Sequence, residues 1–208
     1  MSTFAYIDAA NLYYGGQKSL SWSIDYLKLH QYLVAKYQAE QIYFFTGVEI
    51  YKFYFDYLQH DSVPLVDLER YLISYSGRKD INLSVDEILQ LHRHIKTVKF
   101  YRKLEKFGYK LIIKPIKHFH DETGRIIRKA NCDVDLTLQL MRDSVYCQQV
   151  IILSGDGDFL PVLKHLKSIG KAITILARAD RTAIEMKLFA GRHFANFSTI
   201  KELIQQQL

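Results

Sequence analysis

Apolar and polar positions along the chain predict strands separated by helices. The segment TFAYID reads as a first strand that ends at Asp8, and QIYFFTGVEI reads as a second strand. The run VIIL at 150–153 is apolar without alternation, which is typical of a strand covered on both faces. The pattern therefore predicts an α/β fold in which a mainly parallel sheet is flanked by helices.

The stretch 51–107 interrupts this alternation and reads as largely helical. We therefore expect one domain spanning residues 1–208, with 51–107 as a helical elaboration within it. Ser84 and Glu87 have the spacing of a capping box that opens one of these helices. Ser23 is the expected N-cap of an earlier helix.

A helix is also predicted over 132–146, just before the apolar strand. Its apolar residues at helical spacing are expected to form the buried stripe. They are Val134, Leu138, Met141 and Val145.

Two acidic residues of this helix are expected to differ in environment. Asp135 shares a polar face with Gln139 and Arg142, and we expect that face to be solvated. Asp133 lies in the first turn, close to the loops at the edge of the sheet. It could serve a site there, or it could simply stabilise the helix N-terminus by about 0.3–1 kcal/mol.

The segment SGDGDF places Asp156 and Asp158 directly after the apolar strand. Two carboxylates about 4 Å apart repel by about 4 kcal/mol at an effective dielectric near 20. One interpretation is a solvated turn at Asp156 and a helix cap at Asp158. The other is a site shared with Asp8, because ligands bind beyond the carboxyl ends of parallel strands.

Converging carboxylates would call for a cation. Hard ions with a preference for oxygen ligands, Mg²⁺ or Mn²⁺, relieve such repulsion. A metal held in this way beside a basic surface suits phosphodiester hydrolysis, because the ion polarises the phosphate and activates a bound water. No Ser-His-Asp or Cys-His arrangement can be read from the sequence.

The formal net charge of +6 is unevenly distributed. Between Arg93 and Lys129 the chain has 12 Lys and Arg against three acids, a net +9, so the remainder is net −3. A basic segment of this kind favours a polyanionic partner, with a solvated helix face as the alternative. The candidate nucleic-acid-binding residues are Lys99, Lys103 and Lys106 on a predicted helix and Arg125, Arg128 and Lys129 on a predicted hairpin with its turn at HDETGRII.

Several classes of protein are disfavoured. The longest apolar runs fall short of the roughly 20 residues of a membrane span, and the N-terminus lacks the basic start of a signal peptide. The two cysteines, Cys132 and Cys147, are expected at opposite ends of one helix, too far apart for a disulfide. A reduced, cytoplasmic protein fits these features.

Three motifs together resemble the NYN domain family of the PIN-like nuclease superfamily. They are YIDAANLY, KANCDVDL and LSGDGDFLPVLKHLKSIGK, and SGDGDF followed by a helix and GK is the most specific part. The resemblance implies a Rossmann-like, PIN-like sheet and metal-dependent cleavage of RNA. By position it implies that the metal-binding and catalytic acids are Asp8, Asp133, Asp156 and Asp158, that Asn11 orients metal or phosphate, and that Ser154 supports the site.

Two function classes follow. The first is a Mg²⁺- or Mn²⁺-dependent endoribonuclease, with single-stranded RNA as the favoured partner. The second is a nucleic-acid-binding or assembly module that keeps the fold without catalysis. Asn11 could equally hold the loop after the first strand. The sequence leaves homo-oligomer formation open.

Overall fold

The computed structural model describes residues 2–13, 22–78, 80, 82–120 and 122–206. Strands and helices alternate through most of the chain. In order they are β1 (Thr3–Asp8), α1 (Ala9–Leu12), α2 (Tyr26–Tyr37), β2 (Ala39–Val48), α3 (Leu65–Ser76), α4 (Val85–Lys106), β3 (Lys110–Pro115), β4 (Lys117–His120), β5 (Ile126–Lys129), α5 (Asp133–Asp143), β6 (Gln149–Leu153), α6 (Leu160–Ser168), β7 (Ala172–Ala177), α7 (Ile184–Ala190), β8 (Phe194–Asn196) and α8 (Lys201–Ile204).

Six strands form one sheet in the order β3-β2-β1-β6-β7-β8. The pairings of β1 with β2 and β6, of β6 with β7 and of β7 with β8 are all parallel. Every residue of β1 is buried, because helices flank the sheet. The predicted α/β class is confirmed. Because β1 pairs with β6, the strand end that carries Asp8 lies beside the strand end that leads to Asp156.

The chain divides into two compact units. The first comprises Met1–Phe45, Phe107–Lys110 and Cys132–Leu208, and the second comprises Thr46–Lys106 and Leu111–Asn131. The first unit holds most of the parallel sheet, with a core that includes Tyr6, Ile7, Ile152 and Leu163.

The second unit contains α3, α4 and the antiparallel hairpin of β4 and β5. The side chain of Arg102 on α4 lies 3.6 Å from Glu69 on α3, so an ion pair joins the two helices. The hairpin agrees with the sequence prediction, although Asp121 in its predicted turn lies outside the described residues.

Some details differ from the sequence prediction. Residues 51–64 are turns and irregular backbone, so only the later part of 51–107 is helical. Asp25, and not Ser23, caps α2, because its carboxylate accepts the N–H groups of Leu27 and Lys28. The capping box of α4 is present: Glu87 accepts the Ser84 N–H at 2.9 Å, and the Glu87 N–H donates back to the Ser84 hydroxyl.

The buried stripe predicted for α5 is wrong. Leu136, Leu140 and Asp143 face the core, whereas the predicted stripe is exposed, with 68% of Val134 and 75% of Val145 open to solvent. The helix also ends before Cys147, which is buried, and Cys132 lies at the helix N-cap. Neither of these two cysteines is in a disulfide.

Candidate functional site at the carboxyl end of the sheet

Asp8 is the last residue of β1 and is only 9% exposed. Its side chain caps the single turn of α1: the Asn11 backbone N–H donates to Asp8 Oδ1 at 3.1 Å. The hydroxyl of Ser154, at the end of β6, donates to Asp8 Oδ2 at 3.1 Å. Each carboxylate oxygen therefore has a donor from a different element, and the side chain is fixed at the rim where β1 and β6 end.

A short chain of hydrogen bonds continues from Asp8 into the loop after β6. The Asp156 N–H donates to the Ser154 hydroxyl at 3.2 Å, and the Asp158 N–H donates to Asp156 Oδ1 at 3.0 Å. Asp156 thereby caps the 3₁₀ turn Gly157–Phe159. The following helix α6 has Phe159 at its N-cap and no side-chain cap, so Asp158 does not cap it. Asp156 is half-buried and Asp158 is exposed.

Asp133, the first residue of α5, belongs to the electrostatic environment of Asp8. Burial raises the pKa of the Asp8 carboxyl, and the nearby carboxylates of Asp133 and Asp156 raise it further. The two hydrogen bonds from Asn11 and Ser154 oppose this shift. Asp133 and Asp156 therefore both disfavour the ionised form of Asp8.

The loop after β6 is held on both sides of Gly155. The Gly155 N–H donates to Asn11 Oδ1 at 3.0 Å, and the Gly155 carbonyl accepts the Ala183 N–H at 3.0 Å. A Cβ added to Gly155 would lie 2.7 Å from Thr182 Oγ1 and 2.9 Å from Thr182 Cα. The Asn11 side chain therefore holds the loop after β6 (residues 154–158, the acidic loop), whereas one interpretation of the sequence has it hold the loop after the first strand.

The donor chemistry of these side chains suits a hard cation. The predicted ligands are all carboxylates, and the repulsion that raises the Asp8 pKa would be relieved by a positive ion. Among the described residues, however, no group of three or more His, Cys, Asp or Glu side chains is arranged to hold a metal.

A second buried carboxylate, Asp143 of α5, bonds to the sheet through Tyr6 of β1 and is not among the predicted site residues. It accepts hydrogen bonds from the Tyr6 hydroxyl at 2.9 Å and from Gln139 Nε2 at 3.0 Å. Its spacing from Leu136 and Leu140 is the signal that could have placed it on the buried face. Asp135, expected to be solvated, is half-buried.

The predicted nucleic-acid-binding residues all belong to the second unit. Lys99, Lys103 and Lys106 are exposed on α4. On the hairpin, Arg125, Arg128 and Lys129 are exposed as well, and Arg128 lies 3.9 Å from Glu49.

Comparisons with known proteins address the family and the fold. The chain is 26% identical over 109 residues to the low amplitude and bright protein LabA of Synechococcus elongatus, a match that covers 51% of this chain and 58% of LabA. The chain therefore spans less than two thirds of that relative.

A crystal structure of a protein of unknown function from Vibrio parahaemolyticus shares the fold. It superposes with a TM-score of 0.62 at 16% identity, and the match covers 99% of this chain and 96% of the other.

In the part of the chain that the structure describes, no helix has the length and apolar character needed to cross a bilayer. The profile of the NYN domain, a PIN-like family whose members are generally nucleases, matches residues 92–195, which is half of the chain. The chain therefore belongs to the NYN domain family.

Proposed function

We propose that this protein is a divalent-metal-dependent endoribonuclease that cleaves single-stranded RNA at the rim formed by β1 and β6. The observation that carries the proposal is the environment of Asp8, whose ionised form is opposed by burial and by two neighbouring carboxylates. A fold that holds acids in this way gains free energy when a Mg²⁺ or Mn²⁺ ion binds. The reduced cysteines fit a cytoplasmic location.

Each residue of the rim has a distinct part in this proposal. Asp8, Asp133 and Asp156 would hold the ion, with Asp158 as a fourth acid at the exposed edge. When bound, the ion would activate water and stabilise the charge that develops on the phosphate. Ser154 and Asn11 orient Asp8 and the acidic loop through the hydrogen bonds at 3.1 and 3.0 Å.

The alternative is an NYN fold that binds nucleic acid without cutting it. One observation favours it: no group of three metal-ligating side chains is assembled among the described residues. The two functions differ in whether the protein cleaves RNA when Mg²⁺ or Mn²⁺ is added.

The variant Asp156→Asn tests the proposal. An asparagine keeps an acceptor oxygen for the Asp158 N–H but loses the charge. We expect Mn²⁺-dependent cleavage of single-stranded RNA to fall by about 10²-fold or more, as is typical when a group that stabilises the transition state is removed. The melting temperature without metal should be unchanged or higher, because one of several repelling acids is removed, and the upward shift caused by Mn²⁺ should shrink.

Glu202→Gln is the matched control, because it removes a carboxylate charge from an exposed position on α8. It should leave both cleavage and the Mn²⁺ shift unchanged. A wild-type protein that binds RNA but shows no Mn²⁺-dependent cleavage would instead establish the binding function.

A further inference from the structure

A small crevice opens on the same rim as the acids, where β6 and β7 end. Its apolar lining includes Leu153, Leu176 and Phe197, and its polar lining consists of Asn11 and Arg178. Arg178 directly follows β7, whose neighbour β6 leads into the acidic loop. The rim thus carries Asp8 at the end of β1, Asp156 after β6 and Arg178 after β7.

Arg178 is held in place by its surroundings. Its side chain is 17% exposed, and its Nε lies 2.6 Å from Asp180 Oδ1. The Arg178 carbonyl accepts the Thr182 hydroxyl at 2.6 Å. The ion pair with Asp180 orients the guanidinium, and the Thr182 hydrogen bond fixes the backbone that carries it. This order lowers the entropic cost of binding a ligand.

Both polar residues of the crevice are connected to Gly155 of the acidic loop, Asn11 directly and Arg178 through Thr182. Asn11 accepts the Gly155 N–H, and Thr182, which bonds to Arg178, packs directly against Gly155. Gly155 immediately precedes Asp156. The position of Arg178 relative to the acids is consequently set by a continuous path of hydrogen bonds and close contacts.

We infer that the crevice of Asn11 and Arg178 is a phosphate-binding subsite, which takes a phosphate of the nucleic acid next to the acidic site. This inference rests on the proposed function, because it assigns a substrate phosphate to the same rim. A guanidinium offers a planar set of N–H donors that matches phosphate oxygens, and the apolar walls strengthen the attraction by lowering the local dielectric. A rim of acids repels a polyanion, so a cation beside them is needed to bring the substrate close.

The phosphate has two sources in RNA, an internal phosphodiester or a 5′-terminal phosphate. Internal binding positions the chain for cleavage within it, whereas terminal binding selects RNA ends. Both use the same chemistry at Arg178, so oligonucleotides with a 5′-phosphate or a 5′-hydroxyl distinguish them.

The test measures the affinity for a short single-stranded RNA by fluorescence anisotropy at several salt concentrations. EDTA is present to remove divalent metal, so that metal-dependent cleavage does not interfere. Arg178→Gln is expected to weaken binding about tenfold, as for removal of a charge-assisted hydrogen bond, and to reduce the salt slope by about one. Arg178→Lys should recover part of the affinity because it keeps the charge. Arg181→Gln is the control, since Arg181 is exposed and lies in the 3₁₀ turn Ala179–Arg181, which Arg178 immediately precedes.

A lower RNA affinity in Arg178→Gln but not in Arg181→Gln supports the subsite. If the wild type nevertheless fails to cleave RNA with Mn²⁺, that failure counts against the proposed nuclease function and not against the subsite. Equal binding by the two variants overturns the subsite, even if the wild type cleaves RNA with Mn²⁺. A wild type that binds neither oligonucleotide also overturns it. An effect restricted to the 5′-phosphorylated oligonucleotide assigns the crevice to RNA ends, and an equal effect on both assigns it to internal phosphates.

Discussion

Asp156 combines two roles that are alternatives when only the sequence is considered. Its Oδ1 accepts the Asp158 N–H and closes the 3₁₀ turn, and its charge raises the pKa of Asp8. A carboxylate has enough acceptor positions to cap a turn with one oxygen and face a cation with the other. Structural and functional roles for this acid therefore do not exclude each other.

Residue spacing could place Asp8 and Asp156 at strand ends, because alternation and apolar runs mark where strands stop. It could not reveal that Thr182 packs on Gly155 or that Asp143 receives the Tyr6 hydroxyl. Those contacts join segments distant in the chain, and a single sequence carries no periodic signal for them.

Gly155→Ala tests the clamp on the acidic loop. The added Cβ would lie 2.9 Å from Thr182 Cα, which is backbone and cannot rotate away. We expect the free energy of unfolding to fall by about 1–3 kcal/mol, the usual cost of overpacking, as measured by urea denaturation. In Gly77→Ala the nearest atoms would be 3.7 Å away, so that variant should retain wild-type stability. Similar stabilities for the two variants would show that the loop yields freely.

Helix α5 shows why a helical pattern alone can choose the wrong face. One face of α5 carries Val134, Leu138 and Met141, and the other carries Leu136, Leu140 and Asp143. Counting apolar residues favours the first face, yet the structure buries the second. The acid is tolerated there because Tyr6 and Gln139 satisfy it with hydrogen bonds.

Helix α4 begins where its sequence predicts. Its capping box marks the start, and Gly108, with a φ of 99°, follows its end. Leu104 is buried, whereas Phe100, one turn earlier, is 37% exposed. The exposed lysines agree with the predicted basic face.

That basic face gives a prediction for RNA affinity. Replacing Lys99, Lys103 and Lys106 with glutamate should weaken binding and flatten its dependence on salt, because a protein that neutralises fewer phosphates releases fewer counterions. Filter binding or anisotropy at several ionic strengths measures both quantities. Lys164→Glu combined with Lys201→Glu reverses exposed charges in the first unit and should have the smaller effect. The face is only a solvated helix surface if both sets of changes act alike.

At the scale of the whole molecule, strand order determines the site. Parallel pairing of β1 with β6 places Asp8 beside Ser154, as expected for an α/β sheet. Alternating strands and helices were enough to predict the fold class. The strand order was not predictable in the same way, because neighbouring strands are joined through long crossovers.

Stability should depend on pH through His30. Burial lowers the pKa of this imidazole below its ordinary 6.5. The unfolded chain then binds the proton more tightly than the folded chain does. The free energy of unfolding therefore starts to fall when the pH drops below about 6.5, the pKa in the unfolded chain, and continues to fall until the pH reaches the lower pKa of the folded state. Wild type should lose more stability than His30→Gln between about pH 7 and about pH 5 in urea titrations. His92→Gln, at an exposed position, should follow the wild type; parallel curves for all three would contradict the prediction.

The exposed apolar side of α5 has a consequence for handling this protein. Val134, Leu138 and Met141 of α5, together with Val145 just beyond its end, present aliphatic surface in the native state. Dyes that fluoresce on apolar surfaces, such as ANS, bind such patches without any unfolding. Native protein should therefore give a high dye signal at room temperature, and circular dichroism will report its melting more faithfully than dye fluorescence.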